Sequence, residues 1–133
     1  MNVLQLRVLK THTDTKGTMP IDTNLQWKHH HETQACNLRS LWESGEFLDV
    51  TLVCDDGQAE AHKVVLSSAS PFLREILQRN PHSHPLLYMR GTSKKDIESV
   101  LLFIYSGETQ VSQDELESFL ALAASLQIQG LVA

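Results

Sequence analysis

Cysteine is scarce in this chain, with Cys36 and Cys54 as the two examples among 133 residues. Such a sparse pair predicts no disulfide framework and fits a reducing, intracellular compartment. No apolar run reaches the length that a membrane-spanning helix requires, and no small-residue cleavage site of a signal peptide follows the opening MNVLQLRVLK. These absences predict a cytoplasmic or nuclear protein that does not enter a membrane.

Basic residues are also in the minority, with 11 Lys and Arg against 16 Asp and Glu and a formal net charge of −5. Binding to nucleic acid phosphates requires clustered Lys and Arg side chains. We therefore expect that this segment does not bind nucleic acid by itself. Its length suits one domain with one hydrophobic core.

Recognisable catalytic and metal-binding patterns are missing as well. The chain has no Gly-rich phosphate loop, no G-x-S-x-G motif and no Cys or His set with zinc-ligand spacing. The run His29-His30-His31 cannot turn all three rings to one ion on a helix, where neighbours on one face are three or four residues apart. Asp49, His62 and Ser67 form a triad only on paper, because sequence supplies no geometry. We predict no enzyme, no metal and no cofactor.

The most informative stretch present runs from Phe47 to Leu77. Asp49–Cys54 is rich in β-branched residues and predicts a strand, and Asp56-Gly57 is a hairpin-turn signal before a second strand at Gln58–Ala61. Ser70-Pro71 then suits the cap and first position of a helix. The stretch predicts a β-hairpin followed by two short helices.

The remaining elements follow from hydrophobic periodicity and helix caps. Gly45 is expected to end the first helix, in the usual C-terminal role. Residues Ser112 and Glu115 read as a capping box. The predicted elements are a helix at Glu32–Ser44, a buried strand at Leu86–Met89, a helix at Ser93–Tyr105 and a helix from Ser112 with Leu116, Phe119, Leu120, Ala123 and Leu126 inward.

The first 28 residues divide into two parts. Residues 1–20 are predicted to be a flexible leader, although alternating apolar residues at Leu6 and Val8 also permit an edge strand. Ile21–Lys28 predicts a strand with Leu25 and Trp27 on one face. Burying the Trp27 ring is worth about 2–3 kcal/mol, so this ring needs a pocket.

Several of these motifs together resemble a known family. The run D-V-T-L, a Gly turn, A-H-K and V-V-L-S-x-x-S-P-F resembles the core of a BTB/POZ domain. The L-x-W strand and the patterns N-P-x-x-H-P, F-I-Y-S-G-E and A-x-S-L-x-I-x-G-L resemble its tramtrack-type subclass. The resemblance extends from Leu25 to the end of the sequence, and we expect the domain to span residues 21–133.

The resemblance implies an α+β fold, in which a small mixed sheet is flanked by a helical bundle and the N-terminal strand is exchanged between chains. It also implies an obligate homodimer, with a larger assembly such as a hexamer as an extension. In the family, matching acidic and basic positions form a charged pocket near the dimer interface, a role that falls on Asp49 and Lys63; the alternative is that this pair only satisfies buried charge. The expected interface residues are Leu25, Trp27, Ala35, Leu38, Arg39 and Trp42.

The function that the resemblance implies is protein–protein association. We expect the self-association module of a nuclear transcription or chromatin regulator, with other BTB chains and corepressor or architectural proteins as partners, and with DNA bound only by a segment outside this chain. The alternative is a substrate adaptor of a cullin-type ubiquitin ligase. Such adaptors commonly carry an apolar-x-Glu motif, whereas Ile76–Pro85 contains no Glu. A potassium-channel tetramerisation domain lacks the exchanged strand, and Trp27 argues against it.

Overall fold

The computed structural model describes the backbone of residues 6–13 and 20–131 and the side chains of residues 22–131. Contacts divide the chain into two compact units, residues 1–34 and residues 35–133. The boundary falls within a helix.

The first unit contains an antiparallel pair of strands. Strand β1 (Leu6–Thr13) pairs with β2 (Pro20–Trp27), and their register is interrupted twice. Leu6–Thr13 forms the strand that its alternating apolar residues permit, because β2 supplies the hydrogen-bonding partner that an isolated strand lacks. The flexible leader expected at residues 1–20 stays a prediction. The domain boundary at residue 21 stays a prediction, and residues 1–5 and 14–19 lie outside the described residues.

Helix α1 (His30–Glu43) begins in the first unit and continues into the second. The second unit then has a short mixed sheet surrounded by helices. Its elements are β3 (Val50–Cys54), β4 (Gly57–Ala61), α2 (Lys63–Ala69), α3 (Pro71–Arg79), β5 (Leu86–Tyr88), α4 (Lys94–Ser106), α5 (Gln113–Ser125) and a 3₁₀ turn at Gln129–Leu131. The strand order is β4-β3-β5, with β3 antiparallel to β4 and parallel to β5. The predicted α+β class with a small mixed sheet is confirmed.

The β3–β4 turn is one residue earlier than the Asp-Gly signal indicates. Cys54 pairs with Gly57, so Asp55 and Asp56 form the turn and Gly57 is the first residue of β4. Gly57 is required for close approach, since a Cβ atom there would lie 2.8 Å from Cδ of Lys94. The Asp56 carboxylate accepts a hydrogen bond from the Lys94 N–H at 2.7 Å, which lowers the pKa of Asp56. The hairpin tip is therefore fixed to the start of α4.

The hydrophobic core lies between the sheet and helices α2 to α5. Its largest fully buried side chains are Val50, Leu66, Leu73, Ile97, Leu101 and Ile128. On α4, Ile97, Val100 and Leu101 are buried.

On α5 the predicted face is partly wrong. Phe119 and Ala123 are buried as expected, together with Leu122, whereas Leu116 and Leu120 are 37% and 44% exposed. The capping box is also wrong, because Ser112 makes no side-chain cap hydrogen bond and Glu115 pairs with Lys95 instead.

Strand β5 forms as predicted but is not buried. Leu86 and Tyr88 are 68% and 64% exposed because β5 is the edge strand of the sheet. Apolar composition alone does not distinguish an edge strand from a central one.

Ser70 connects two distant parts of the core. Its hydroxyl oxygen accepts from the Leu73 N–H at 3.0 Å and so caps α3, and the same hydroxyl donates to the Leu126 carbonyl. Ser70 is fully buried, so both backbone groups would lose their partner with no water to replace it.

We expect Ser70→Ala to lower the free energy of unfolding by about 2 kcal/mol, since it removes a helix cap and leaves a buried carbonyl unpaired. Urea unfolding at fixed protein concentration measures this. Ser112→Ala is the matched control, because Ser112 is also an N-cap residue but makes no side-chain hydrogen bond there. Equal losses in the two variants would contradict this role of Ser70.

Candidate interaction site

Helix α1 has no buried residue along its 14 positions. Ala35 and Leu38 are both exposed, although the apolar stripe to which they belong would suit a core. Arg39 is held along the helix by Glu43, with 2.8 Å between Nε and Oε1. Three of the expected interface positions are therefore on an accessible surface.

Trp42 differs from its neighbours on α1. Its ring stacks on Tyr105 with centroids 4.6 Å apart and an interplanar angle of 5°, and its Nε1–H donates to the Glu60 carbonyl at 3.1 Å. Most of the interactions of this side chain are therefore within its own chain. The ring attaches the end of α1 to the core.

Next to this stack, His62 forms a buried hydrogen-bonded group with Tyr105. The His62 Nδ1 atom lies 2.6 Å from the Tyr105 hydroxyl, and the His62 backbone N–H donates to the same oxygen at 3.0 Å. His62 Nε2 lies 2.7 Å from the Glu46 carbonyl, which can only accept, so Nε2 carries the proton and Nδ1 accepts from the tyrosine. Burial raises the pKa of Tyr105 to about 12.

This geometry also shows whether His62 could act in a triad with Asp49 and Ser67. Both nitrogens of His62 are engaged, so the ring has no free nitrogen with which to activate Ser67. His62 therefore has a structural, hydrogen-bonded role.

The Asp49 and Lys63 residues meet, but not through their charged groups. Asp49 Oδ1 accepts from the backbone N–H of Lys63 at 2.7 Å, so the carboxylate caps the start of α2 in place of His62, whose side chain makes no cap bond. The Lys63 ammonium instead donates to the His82 carbonyl. The two side chains thus serve different backbone partners.

Sequence reasoning missed two exposed apolar side chains beside this junction. Phe47 is 80% exposed and has a left-handed backbone with φ of 63°, which is rare for an aromatic residue. Val64 is 72% exposed at the start of α2. The F-L-D-V run gave no signal of this, because the left-handed conformation arises from hydrogen bonds of Glu46 and Asp49 to residues 61–63.

In the first unit, Leu25 is 59% exposed and Trp27 is half-buried. The Trp27 ring meets His30 edge-on with centroids 4.9 Å apart, and His30 meets His31 at 5.3 Å. Among the side chains of residues 22–131, no three His, Cys, Asp or Glu residues are arranged to hold a metal ion. Within the same part of the chain, no helix has the length and apolar character to cross a membrane.

We expect the effects of Asp49→Ala and Lys63→Met on stability to add, with a coupling energy below about 0.5 kcal/mol. Asp49→Ala alone should lower the free energy of unfolding by about 1–2 kcal/mol, because it leaves the Lys63 N–H unpaired. Lys63→Met keeps this N–H and its bond to Asp49, so the two effects should be independent. A double-mutant cycle by urea unfolding measures both quantities. A coupling above about 1 kcal/mol would show a direct charge pair instead.

Loss of the Tyr105 hydroxyl proton should lower the free energy of unfolding at alkaline pH. The folded chain holds this proton up to about pH 12, whereas an unfolded tyrosine loses it near 10.0, so the contribution is complete below pH 10 and is lost as the pH rises toward 12. The full loss is about 2–3 kcal/mol. Urea unfolding from about pH 9 to about pH 11 should show a steeper decline than in Tyr105→Phe. Equal declines of the free energy of unfolding in the two chains would contradict the role of Tyr105 in this pH dependence.

Comparison with known proteins agrees with this fold. A family model described as the BTB/POZ domain matches residues 38–133. Protein abrupt of Drosophila melanogaster is 42% identical over 107 residues, which are 80% of this chain and 12% of abrupt. Longitudinals lacking protein-like and Protein tramtrack, alpha isoform, from the same organism, are each 36% identical over 80% of this chain, which spans 84% and 13% of their lengths.

Two solved structures show the same architecture. The BTB domain of zebrafish PATZ1 gives a TM-score of 0.72 at 22% identity, over 83% of this chain and 91% of that one. The BTB domain of human Gigaxonin gives 0.69 at 25% identity, with the same coverage of each chain. The chain therefore belongs to the BTB/POZ family and is similar to the protein-interaction domains of tramtrack-type transcription regulators.

Proposed function

We propose that this domain is the self-association module of a nuclear transcription or chromatin regulator. The observation that carries the proposal is helix α1, which presents Ala35 and Leu38 outward and buries none of its residues. Domains of this family generally mediate dimerisation and contacts with other BTB proteins, and the similar Drosophila proteins are transcription regulators. A helix with exposed apolar residues in such a domain fits a surface covered by a second copy.

The N-terminal strand is the second part of the proposed interface. A two-stranded pair such as β1–β2 is marginally stable by itself, and Leu25 stays largely exposed on it. Exchange of this strand with a second copy would cover Leu25 and complete the burial of Trp27. Obligate interfaces typically bury about 2,000–5,000 Å² in total, which strand and helix together are suited to supply.

Phe47 and Val64 extend the same proposed surface near Asp49 and Lys63. Holding an aromatic residue at positive φ costs roughly 1–3 kcal/mol, and leaving its ring in water forgoes roughly 2 kcal/mol more. Burial of the Phe47 ring against a partner would recover the roughly 2 kcal/mol that its exposure to water forgoes. The charged pocket proposed at Asp49 and Lys63 would then lie beside an apolar contact.

Association would serve transcription by bringing copies together. Two linked DNA-binding segments act at a raised effective concentration on clustered sites, although neither contact becomes stronger. In this proposal those segments, the nuclear location and the corepressor or architectural partners belong to the whole protein. Open strand edges offer a route to larger assemblies such as a hexamer.

The cullin-adaptor alternative uses the same fold and makes a different prediction for binding. The segment Ile76–Pro85 holds no Glu for the apolar-x-Glu motif of such adaptors. A pull-down with a cullin N-terminal region distinguishes the two, since micromolar or tighter binding would favour the adaptor.

We expect removal of residues 21–28 to lower the solution mass, because Trp27 and Leu25 are then lost from the interface. Light scattering over a concentration series measures the absolute mass of intact and shortened chains. Leu25→Ser with Trp27→Ser should act in the same direction at full length.

The matched control for this experiment is Thr23→Ala with Asn24→Ala, which changes neighbouring exposed residues of the same strand. Its mass should equal that of the unchanged chain. If the shortened chain also keeps the same mass and solubility, the strand-exchange proposal is wrong.

A further inference from the structure

The open edge of the sheet at β5 is a separate surface from helix α1. Thr51 N–H donates to the Pro85 carbonyl, and Met89 N–H donates to the Val53 carbonyl, so positions 85, 87 and 89 direct their amide groups at β3. Successive residues of a strand direct their amide groups to opposite sides. The N–H and C=O groups of Leu86 and Tyr88 therefore point away from β3, at an edge where no other strand of the second unit's described residues pairs.

An apolar cavity of about 380 Å³ adjoins this edge. It lies between β5 and helices α3 and α5, and its lining includes Phe72, Ile76, Leu86, Tyr88 and Leu122. Phe72, Leu86 and Tyr88 are 38%, 68% and 64% exposed, so the apolar walls are accessible. An extended segment lying along β5 could place one apolar side chain in this cavity at every second position.

The charge of the site is positive at one end. Among the lining residues, all of which belong to the described part of the chain, Arg90 alone is charged. No carboxylate among residues 22–131 forms an ion pair with it. Arg90 lies two residues after the last residue of β5, so its guanidinium is available for an acidic group at the end of a bound segment.

The geometry points to an extended, acidic-apolar segment of a partner protein that adds a strand to β5. Antiparallel pairing is slightly more stable per residue than parallel pairing. In that direction the start of the segment meets Arg90, so its acidic residue precedes apolar residues at alternate positions. Backbone hydrogen bonds to Leu86 and Tyr88 would provide affinity, while the cavity and Arg90 would provide specificity.

A random heptapeptide library displayed on phage and selected on the immobilised whole chain tests this inference. We expect enriched peptides to carry Asp or Glu before alternating apolar residues. N-methylation of the selected peptide at alternate residues should abolish binding for the set that faces β5 and spare the other set. No enrichment, or enrichment of a different pattern, would overturn the inference.

Variants of the chain then test the site itself by fluorescence anisotropy with the selected peptide. Arg90→Glu should weaken binding about tenfold or more, and a Lys in place of the acidic residue of the peptide should restore it. Leu86→Ser should weaken binding similarly. The controls are Arg74→Glu, an exposed arginine on α3 outside the cavity, and Leu120→Ser, an exposed leucine on α5 outside it.

Two further outcomes would count against the inference. Equal loss of peptide binding in Arg90→Glu and Arg74→Glu would mean that the peptide responds to the net charge of the chain and not to Arg90 specifically. A lower solution mass for Leu86→Ser would mean that a second copy of this chain occupies the edge. The truncation experiment tests strand exchange separately, so a failure of peptide binding at β5 leaves the proposed self-association unchanged.

Discussion

The hydrogen bonds between His62 and Tyr105 are the interaction on which the second unit depends. They join the end of β4 and the start of α2 to the last turn of α4, and the other ring nitrogen of His62 holds the Glu46 carbonyl after α1. Trp42 then stacks on the tyrosine. Because both ring nitrogens of the imidazole are hydrogen-bonded, the ring works as a fixed connection between these elements.

This arrangement explains why α1 exposes apolar residues without leaving the domain unstable. Trp42 attaches the end of the helix, so the preceding turns need no core contact of their own. The same connections hold the loop after α1 in place and set the positive φ of Phe47. Exposure on α1 and strain at Phe47 are thus consequences of one buried junction, and both favour a surface that a second copy covers.

The sheet leaves a second accessible region at the opposite end of its strand order. Strand β4 is joined to α4 by the turn at Asp55 and Asp56, while β5 has its outer edge free. The α1 surface exposes Ala35 and Leu38, which we propose are covered by an identical chain, whereas the β5 edge combines outward-facing backbone groups with Arg90. A single domain can therefore offer one surface for its own copy and another for an extended partner.

The sequence by itself determined the hairpin, the helices and the family, because strand propensity, Ser-Pro caps and the spaced D-V-T-L and A-H-K motifs are local signals. The roles that the family resemblance implies for Asp49, Lys63 and Leu38 stay predictions. Only the tertiary structure decided that β5 is an edge strand, that Trp42 packs inward and that Asp49 binds a backbone N–H. Those outcomes depend on which elements become neighbours, and a periodic apolar pattern is the same whether a core, a partner or solvent lies opposite.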